Sequence, residues 1–303
     1  MENLLSIKDL TQAQFFELIE LAQTIKNNPK DYNQVLAGQS IVTIYEKPSL
    51  RTRLSFDIGI NKLGGHAVYI DQQNGAMGKR ESVADFAKNI SVWADCIVAR
   101  TFAHSTIEEL AANAKVPVVN SLSDLYHPCQ GMADFLTLSE KFDDLSKVSL
   151  AYVGDGNNVT HSLMYAAAQA GCTMKVVCPK GHFPDAEITN EAQAIATKNG
   201  GSIELSTDLA VLNGVDAIYT DTWISMGDST KLEDIAAKFM PYQVNQQLMD
   251  TTGAKYFMHC APAHLEEEVT AQVFNGEQSL VLNQAENRMH AQNAILVKLL
   301  GNK

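Results

Sequence analysis

Positive charge is scarce in this chain of 303 residues. It carries 23 Lys and Arg against 35 Asp and Glu, which gives a formal net charge of −12 at pH 7. This balance argues against nucleic acid or an anionic membrane surface as the main partner. A local anion site remains compatible with it, because one pocket can be positive on an acidic protein.

Signals for export, membrane insertion and cross-linking are also missing. No apolar run approaches the length that spans a bilayer, and Met1–Leu5 has no basic region before an apolar segment. The five cysteines are an odd number without short-spaced pairs, which excludes a disulfide framework and a zinc pattern. The cysteine pattern therefore predicts a protein of the reducing cytoplasm. We also expect that it holds no metal and no cofactor.

Short β-rich segments alternate with helical patterns along the whole chain. They form two series, at 41–45, 67–70, 97–99 and 116–120, then at 148–153, 174–178, 202–205, 217–220 and 256–259. Such alternation predicts parallel sheets with helices on both faces. We expect an α/β fold of two doubly wound three-layer domains joined by two interdomain helices, with one domain at 1–139 plus 285–303 and the other at 140–284.

Cations and hydroxyl groups concentrate in the segment Ser49–Arg53, between a predicted strand and a predicted helix. The first amides of a helix have no intrahelical partner, and the positive end of the helix dipole lies there. Ser49 fits the N-cap. Arg51 and Arg53 diverge within a regular helix, so only a helix start would bring both to one anion. The segment is either a solvated turn or, as its contrast with the acidic chain favours, a phosphate or carboxylate site.

Polar side chains follow the other predicted strands as well. Parallel sheets bind ligands beyond the carboxyl ends of their strands, so these residues predict a catalytic edge shared by two domains. They are Arg100, Asp124, His127, Gln130, Asn157, Asn158, Asp221, Ser225, Met226 and Cys260.

Taken singly, these residues leave alternatives open. His127 alone fits a buried structural histidine, Asp221 a helix cap, and Cys260 a nucleophile, a metal ligand or a packing residue. Gly154–Gly156 follows a strand and suggests a dinucleotide site, but Val159 occupies the position where the third glycine is expected.

Four motifs occur together in one order: Ser-x-Arg-Thr-Arg at 49–53, His-Pro-Cys-Gln at 127–130, Asp-x-x-x-Ser-Met-Gly at 221–227 and His-Cys-x-Pro at 259–262. With them the chain resembles the aspartate/ornithine carbamoyltransferases nearly from end to end. The Ser-Met-Gly loop with His-Cys-x-Pro is typical of the ornithine branch of that family.

The resemblance implies a reaction of carbamoyl phosphate with L-ornithine that gives L-citrulline and phosphate, by direct attack of the neutral δ-amine, within arginine metabolism. It implies a homotrimer with a carbamoyl-phosphate-binding first domain and an ornithine-binding second domain. The implied carbamoyl phosphate residues are Ser49, Leu50, Arg51, Thr52, Arg100, His127, Gln130, Cys260, Ala261 and Arg288. The implied ornithine residues are Asn158, Asp221, Ser225 and Met226, and the catalytic roles fall to Cys260, Asp221, Arg100 and His127.

Three positions depart from the family pattern. Ala261 and Leu50 replace a Leu and a Thr that are common there, and Ala76 replaces a Gln that reaches a neighbouring subunit. Lys79 and Arg80 are the candidates to restore that last contact.

Other readings are a carbamoyltransferase for putrescine or an N-acylated ornithine, an NAD-binding oxidoreductase, and a non-catalytic binding protein. The Ser-Met-Gly loop argues against the other carbamoyltransferases, and the incomplete glycine pattern argues against the oxidoreductase. The intact set of Arg51, His127 and Cys260 argues against a non-catalytic binding protein.

Overall fold

The computed structural model describes residues 1–70, 77–78, 81–224 and 230–301. The predictions for Ala76, Lys79, Arg80, Ser225 and Met226 lie outside these residues. The chain divides into a first unit, 1–136 with 287–303, and a second unit, 137–286. Both boundaries fall inside helices, which are α6 (Pro128–Ser139) and α12 (Val281–Leu300).

The first unit is built on a four-stranded parallel sheet in the order β2-β1-β3-β4. Consecutive residues of β1 and β3 are buried, so helices and loops cover both faces of this sheet. The strands are β1 (Ser40–Tyr45), β2 (His66–Ile70), β3 (Cys96–Arg100) and β4 (Val118–Leu122). Its helices before α6 are α1 (Gln12–Asn27), α2 (Pro29–Tyr32), α3 (Leu50–Lys62), α4 (Val83–Ile90) and α5 (His104–Asn113).

The second unit contains a five-stranded parallel sheet in the order β7-β6-β5-β8-β9. Its strands are β5 (Ser149–Val153), β6 (Thr173–Val177), β7 (Ser202–Ser206), β8 (Ala217–Thr220) and β9 (Tyr256–His259). Its further helices are α7 (Asn158–Ala170), α8 (Ala186–Lys198), α9 (Leu232–Phe239), α10 (Gln246–Thr252) and α11 (Ala271–Phe274). The α/β class with parallel sheets, predicted from the alternating pattern, is confirmed.

Apolar side chains from three strands form the core on one face of the second sheet. Val153, Ile218 and Phe257 pack there with Met249 of α10 and Val273 of α11. Helix α7 is buried along almost its whole length, and its polar side chains are buried together with its apolar ones. The strand ends that carry polar residues therefore border a packed apolar core.

Short capping patterns fix where several helices begin. Thr11 and Gln14 form a capping box at the start of α1: the Gln14 amide donates to Oγ1 of Thr11 at 3.2 Å, and the Thr11 amide donates to Oε1 of Gln14 at 2.9 Å. Asn157 caps α7 through its Oδ1, and Gly171 ends the same helix with a φ of 71°. The last helix, α12, begins at Val281.

Among the described residues, no helix combines the length and the apolar character needed to cross a bilayer.

Candidate active site

Helix α3 begins directly after the loop that follows β1. Ser49 occupies its N-cap position with an extended backbone, but its side chain makes no capping hydrogen bond. The prediction that the Ser49 oxygen caps the helix is therefore wrong, since the chain enters α3 without turning this hydroxyl toward the helix amides. The first amides of α3 are left to a different acceptor, which is the arrangement an anion uses.

The fully buried hydroxyl of Thr52 accepts hydrogen bonds from two arginines. Its Oγ1 accepts a hydrogen bond of 2.7 Å from Nη2 of Arg288 and a longer one of 3.5 Å from Nη1 of Arg100. Both arginine residues are 5% exposed. Buried arginines present planar sets of donors that match phosphate or carboxylate oxygens. The structure thus brings together three residues that the sequence assigned to one anion site.

His127 lies just before α6 and is buried. Burial, with Arg288 and Arg100 nearby, lowers the pKa of its imidazole well below the ordinary value of 6.5. The ring is therefore neutral near pH 7. A neutral imidazole can donate one hydrogen bond to a carbonyl oxygen without adding a third charge to the two guanidinium groups.

Gln130 is one turn further along, at the start of α6. Its Nε2 donates a hydrogen bond of 2.7 Å to Oδ1 of Asp134. Its buried Oε1 accepts no hydrogen bond from the described residues. This fixed amide oxygen suits an NH2 group of a ligand, as predicted for Gln130.

The two arginines at the start of α3 point to different surroundings. The Arg53 guanidinium lies 3.7 Å from the ring centroid of Tyr69 and 3.4 Å from Oδ2 of Asp57. Arg51 is exposed. Arg53 therefore contacts its own helix and β2, and Arg51 is the arginine at this helix start that the described residues leave to an external anion. Leu50, beside it, is 71% exposed.

In the second unit, three strand ends converge on Asp221. Its Oδ1 accepts a hydrogen bond of 3.1 Å from Sγ of Cys260, and its Oδ2 accepts one of 2.9 Å from Nδ2 of Asn157. Asp221 is buried and Cys260 is half-buried. A carboxyl group with a thiol and an amide as its partners can still accept hydrogen bonds from an amino group of a ligand.

His259 makes two hydrogen bonds next to this cluster, to Ala261 and to Glu268. Nδ1 of His259 accepts from the amide of Ala261 at 2.9 Å, so Nε2 carries the proton and donates to Oε1 of Glu268 at 3.1 Å. Asp221, His259 and Cys260 have ligand atoms within 4.8 Å of one another, but both ring nitrogens of His259 are already used. Ala261 itself adopts a left-handed φ of 55°.

Sequence reasoning gave Asn157 and Glu268 no named role. Asn157 offered a signal, because it is a capping residue directly after a strand, in the same stretch as the predicted Asn158. Asn158 is the first residue of α7, and it is Asn157 that bonds Asp221. Glu268 gave no signal, since only folding brings it to His259.

Comparison with known proteins places the chain among well-defined relatives. The family profile "Aspartate/ornithine carbamoyltransferase, carbamoyl-P binding domain" matches residues 2–140, and "Asp/Orn binding domain" of the same family matches residues 146–299. A protein named ornithine carbamoyltransferase from Shewanella oneidensis is 64% identical over 299 residues, which cover 99% of both chains.

Solved structures agree with the family profiles. Ornithine carbamoyltransferase from Pyrococcus furiosus superposes with a TM-score of 0.96 at 41% identity, over 100% of this chain and 98% of that one. The enzyme of the same name from Thermus thermophilus gives 0.89 at 39% identity, over 99% of each chain.

Proposed function

Because this chain belongs to the aspartate/ornithine carbamoyltransferase family, we propose that it transfers the carbamoyl group of carbamoyl phosphate to the δ-amine of L-ornithine. The products are L-citrulline and phosphate. The observation that carries the proposal is the convergence of Arg100 and Arg288 on the buried hydroxyl of Thr52. The reaction's place is arginine metabolism.

Carbamoyl phosphate is assigned to the domain of residues 1–139 plus 285–303. Arg51, the α3 amides and the hydroxyl groups of Ser49 and Thr52 hold its phosphate, because they combine a helix N-terminus with an exposed cation. The remaining contacts follow the family pattern at Leu50, Arg100, His127, Gln130, Cys260, Ala261 and Arg288.

The chemistry needs no covalent enzyme intermediate. The neutral δ-amine forms a C–N bond to the carbonyl carbon, and the carbonyl oxygen becomes an oxyanion. The C–O bond to phosphate then breaks, and the amine proton is lost with the departing phosphate. Arg100 and the neutral His127 donate to that oxyanion, which is the largest single contribution in many such sites. Gln130 orients the carbamoyl NH2 group.

Ornithine is assigned to the domain of residues 140–284. Asp221 pairs with an amino group of ornithine, and Asn158, Ser225 and Met226 complete its recognition as the family pattern implies. Cys260 is hydrogen-bonded to Asp221 and assists the amine rather than attacking the carbonyl. Detection of a carbamoyl adduct on Cys260 by mass spectrometry of the working enzyme would overturn this role.

A citrulline assay with three acceptors tests the function. We expect product with L-ornithine and far less with putrescine or N-acetylornithine, each supplied with carbamoyl phosphate. A preference for either competitor would replace the proposed acceptor. The absence of product with all three would leave only a binding role.

We propose a homotrimer as the working assembly. Helix α3 exposes Leu50, Leu54 and Ile58 at 71%, 47% and 47%. These residues share one face of the helix, and such a stripe is typical of a protein–protein interface. Light scattering should give three times the 33.1 kDa chain mass, and Leu54→Glu with Ile58→Glu should reduce it. A monomeric wild-type chain would contradict the proposal.

A reducing cytoplasm is the proposed location. All five cysteines are free thiols, and free thiols persist where glutathione and thioredoxin keep them reduced.

A further inference from the structure

Gly59 lies in the middle of α3, at the point where α12 packs against it. A Cβ atom built on this glycine would overlap the side-chain oxygen of Asn293 and would stand 3.3 Å from Cγ of both Asn293 and Met289. Gly59 is buried and Asn293 is 3% exposed. The two helices therefore approach one another as closely as only glycine permits.

A glycine inside a helix needs a reason of this kind. It costs about 1 kcal/mol relative to alanine in a helix interior. Here Oδ1 of Asn293 accepts no hydrogen bond from the described residues and faces the position that a Cβ would take. The glycine offers a Cα–H group to that oxygen, which is a weak but directional contact. A methyl group would remove both the space and the donor.

The same two helices carry the anion site. Thr52 stands seven positions before Gly59 on α3, which is close to two full turns and keeps both residues on one side of the helix. Arg288 stands five positions before Asn293 on α12. The Gly59–Asn293 contact thus lies about two turns further along α3 than the 2.7 Å hydrogen bond between Arg288 and Thr52, and both contacts join the same pair of helices.

We propose that Gly59 is a positioning residue for carbamoyl phosphate: its contact with Asn293 fixes the separation of α3 and α12, and with it the reach of Arg288 to Thr52. The inference rests on the proposed function for its ligand. A side chain at position 59 moves α12 away from α3 and withdraws Arg288 from the anion. The ornithine residues lie in the second unit and are not displaced directly.

Steady-state kinetics of Gly59→Ala tests this role. We expect the KM for carbamoyl phosphate to rise about 10-fold or more, because small displacements of positioning groups carry large penalties. The KM for ornithine should stay within about twofold, as expected when only one binding contact is lost. The double variant Gly59→Ala with Asn293→Ala removes the overlapping oxygen and should recover most of the lost affinity.

Gly65→Ala is the matched control. The three atoms nearest to a Cβ there belong to Ile60, Leu36 and Ile41, at 3.1, 3.2 and 3.4 Å, so it crowds the same domain at atoms outside α12. It should lower the melting temperature and leave the KM for carbamoyl phosphate unchanged. If Gly59→Ala behaves in the same way, or if the double variant shows no recovery, the positioning role is wrong.

A second variant covers the case in which Gly59→Ala does not fold. Asn293→Gln crowds the contact from the α12 side and should raise the same KM; an unchanged KM overturns the proposal. Wild-type citrulline production is measured first, because its absence refutes the proposed function alone. In that event the affinity for inorganic phosphate, measured by calorimetry in wild type and Gly59→Ala, still tests the positioning role, and equal affinities would refute it.

Discussion

The two clusters at the strand ends have opposite electrostatic character. In the first unit, Arg100 and Arg288 bring two buried positive charges to one neutral hydroxyl, beside a neutral imidazole. In the second unit, Asp221 brings one buried carboxylate to a thiol and an amide. One cluster is complementary to an anion and the other to an amine. Each unit is therefore specialised for one of the two reactants. We expect a substitution in one cluster to leave the function of the other cluster unchanged.

The largest expected effect comes from Arg51→Ala, which removes the exposed cation at the start of α3. We expect kcat/KM to fall by about 100-fold or more, corresponding to about 3 kcal/mol of lost transition-state stabilisation. Unfolding free energy should change by less than about 0.5 kcal/mol, because the side chain is exposed. Arg53→Ala, on the same helix but held by Asp57 and Tyr69, should lose far less activity. Wild-type citrulline production by Arg51→Ala would refute the anion site.

Asp221→Asn replaces the carboxylate of the second cluster by an amide of nearly the same shape. We expect the KM for ornithine to rise by about 30-fold, since a charged hydrogen bond contributes about 2 kcal/mol. The KM for carbamoyl phosphate should stay nearly constant. Asp155→Asn is the control, because Asp155 also follows a strand but pairs with His182 at 2.9 Å. A rise in both KM values with Asp221→Asn would mean that the two clusters are not separable.

Thr52→Val tests whether the shared hydroxyl organises the cationic side. The substitution keeps the shape and removes the acceptor of both arginines, so the KM for carbamoyl phosphate should rise by about 10-fold. Thr52→Ser retains the hydroxyl and should restore most of the affinity. Equal kinetics in the valine and serine variants would show that the hydroxyl plays no part.

The neutral imidazole of His127 predicts a smaller effect, on stability against pH. Its folded pKa lies well below the ordinary 6.5, so the unfolded chain binds more protons just below pH 6.5. Stability is therefore fully present above pH 6.5 and falls as the pH drops below it, by up to about 1.4 kcal/mol per pH unit. Urea unfolding at pH 5.5 and 7.5 should show a smaller loss for His127→Gln than for wild type. An equal loss in both would indicate that His127 is protonated in the folded chain.

The sequence predicted the fold well because the strand and helix periods are strong. All nine predicted strands are present within one or two residues of their expected bounds. Most of them are buried segments between polar turns, whereas β2 and β7 are largely exposed or half-buried. The sequence also predicts an anion site at the start of α3, because Lys47, Arg51 and Arg53 place three cations within seven residues of an acidic chain.

Side-chain direction was less predictable. The spacing of Arg51 and Arg53 did not say which one would stack on Tyr69, because that choice depends on β2, which follows later in the chain. The bond from Asn157 to Asp221 joins residues 64 positions apart. Ser49 stands at the N-cap of α3 but makes no capping hydrogen bond, so a residue type that favours capping does not by itself determine the direction of its side chain.

The five thiols of this chain differ in how readily an alkylating reagent can reach and modify them. Burial raises the pKa of the Cys129 and Cys172 thiols to about 12 and that of Cys178 still higher, and Cys96 is fully buried. Because the thiolate is the species that reacts, these four are protected from alkylating reagents. Cys260 alone is half-buried. One equivalent of a fluorescent maleimide should therefore label the folded chain at Cys260, beside Asp221, and would report directly on occupancy by an acceptor.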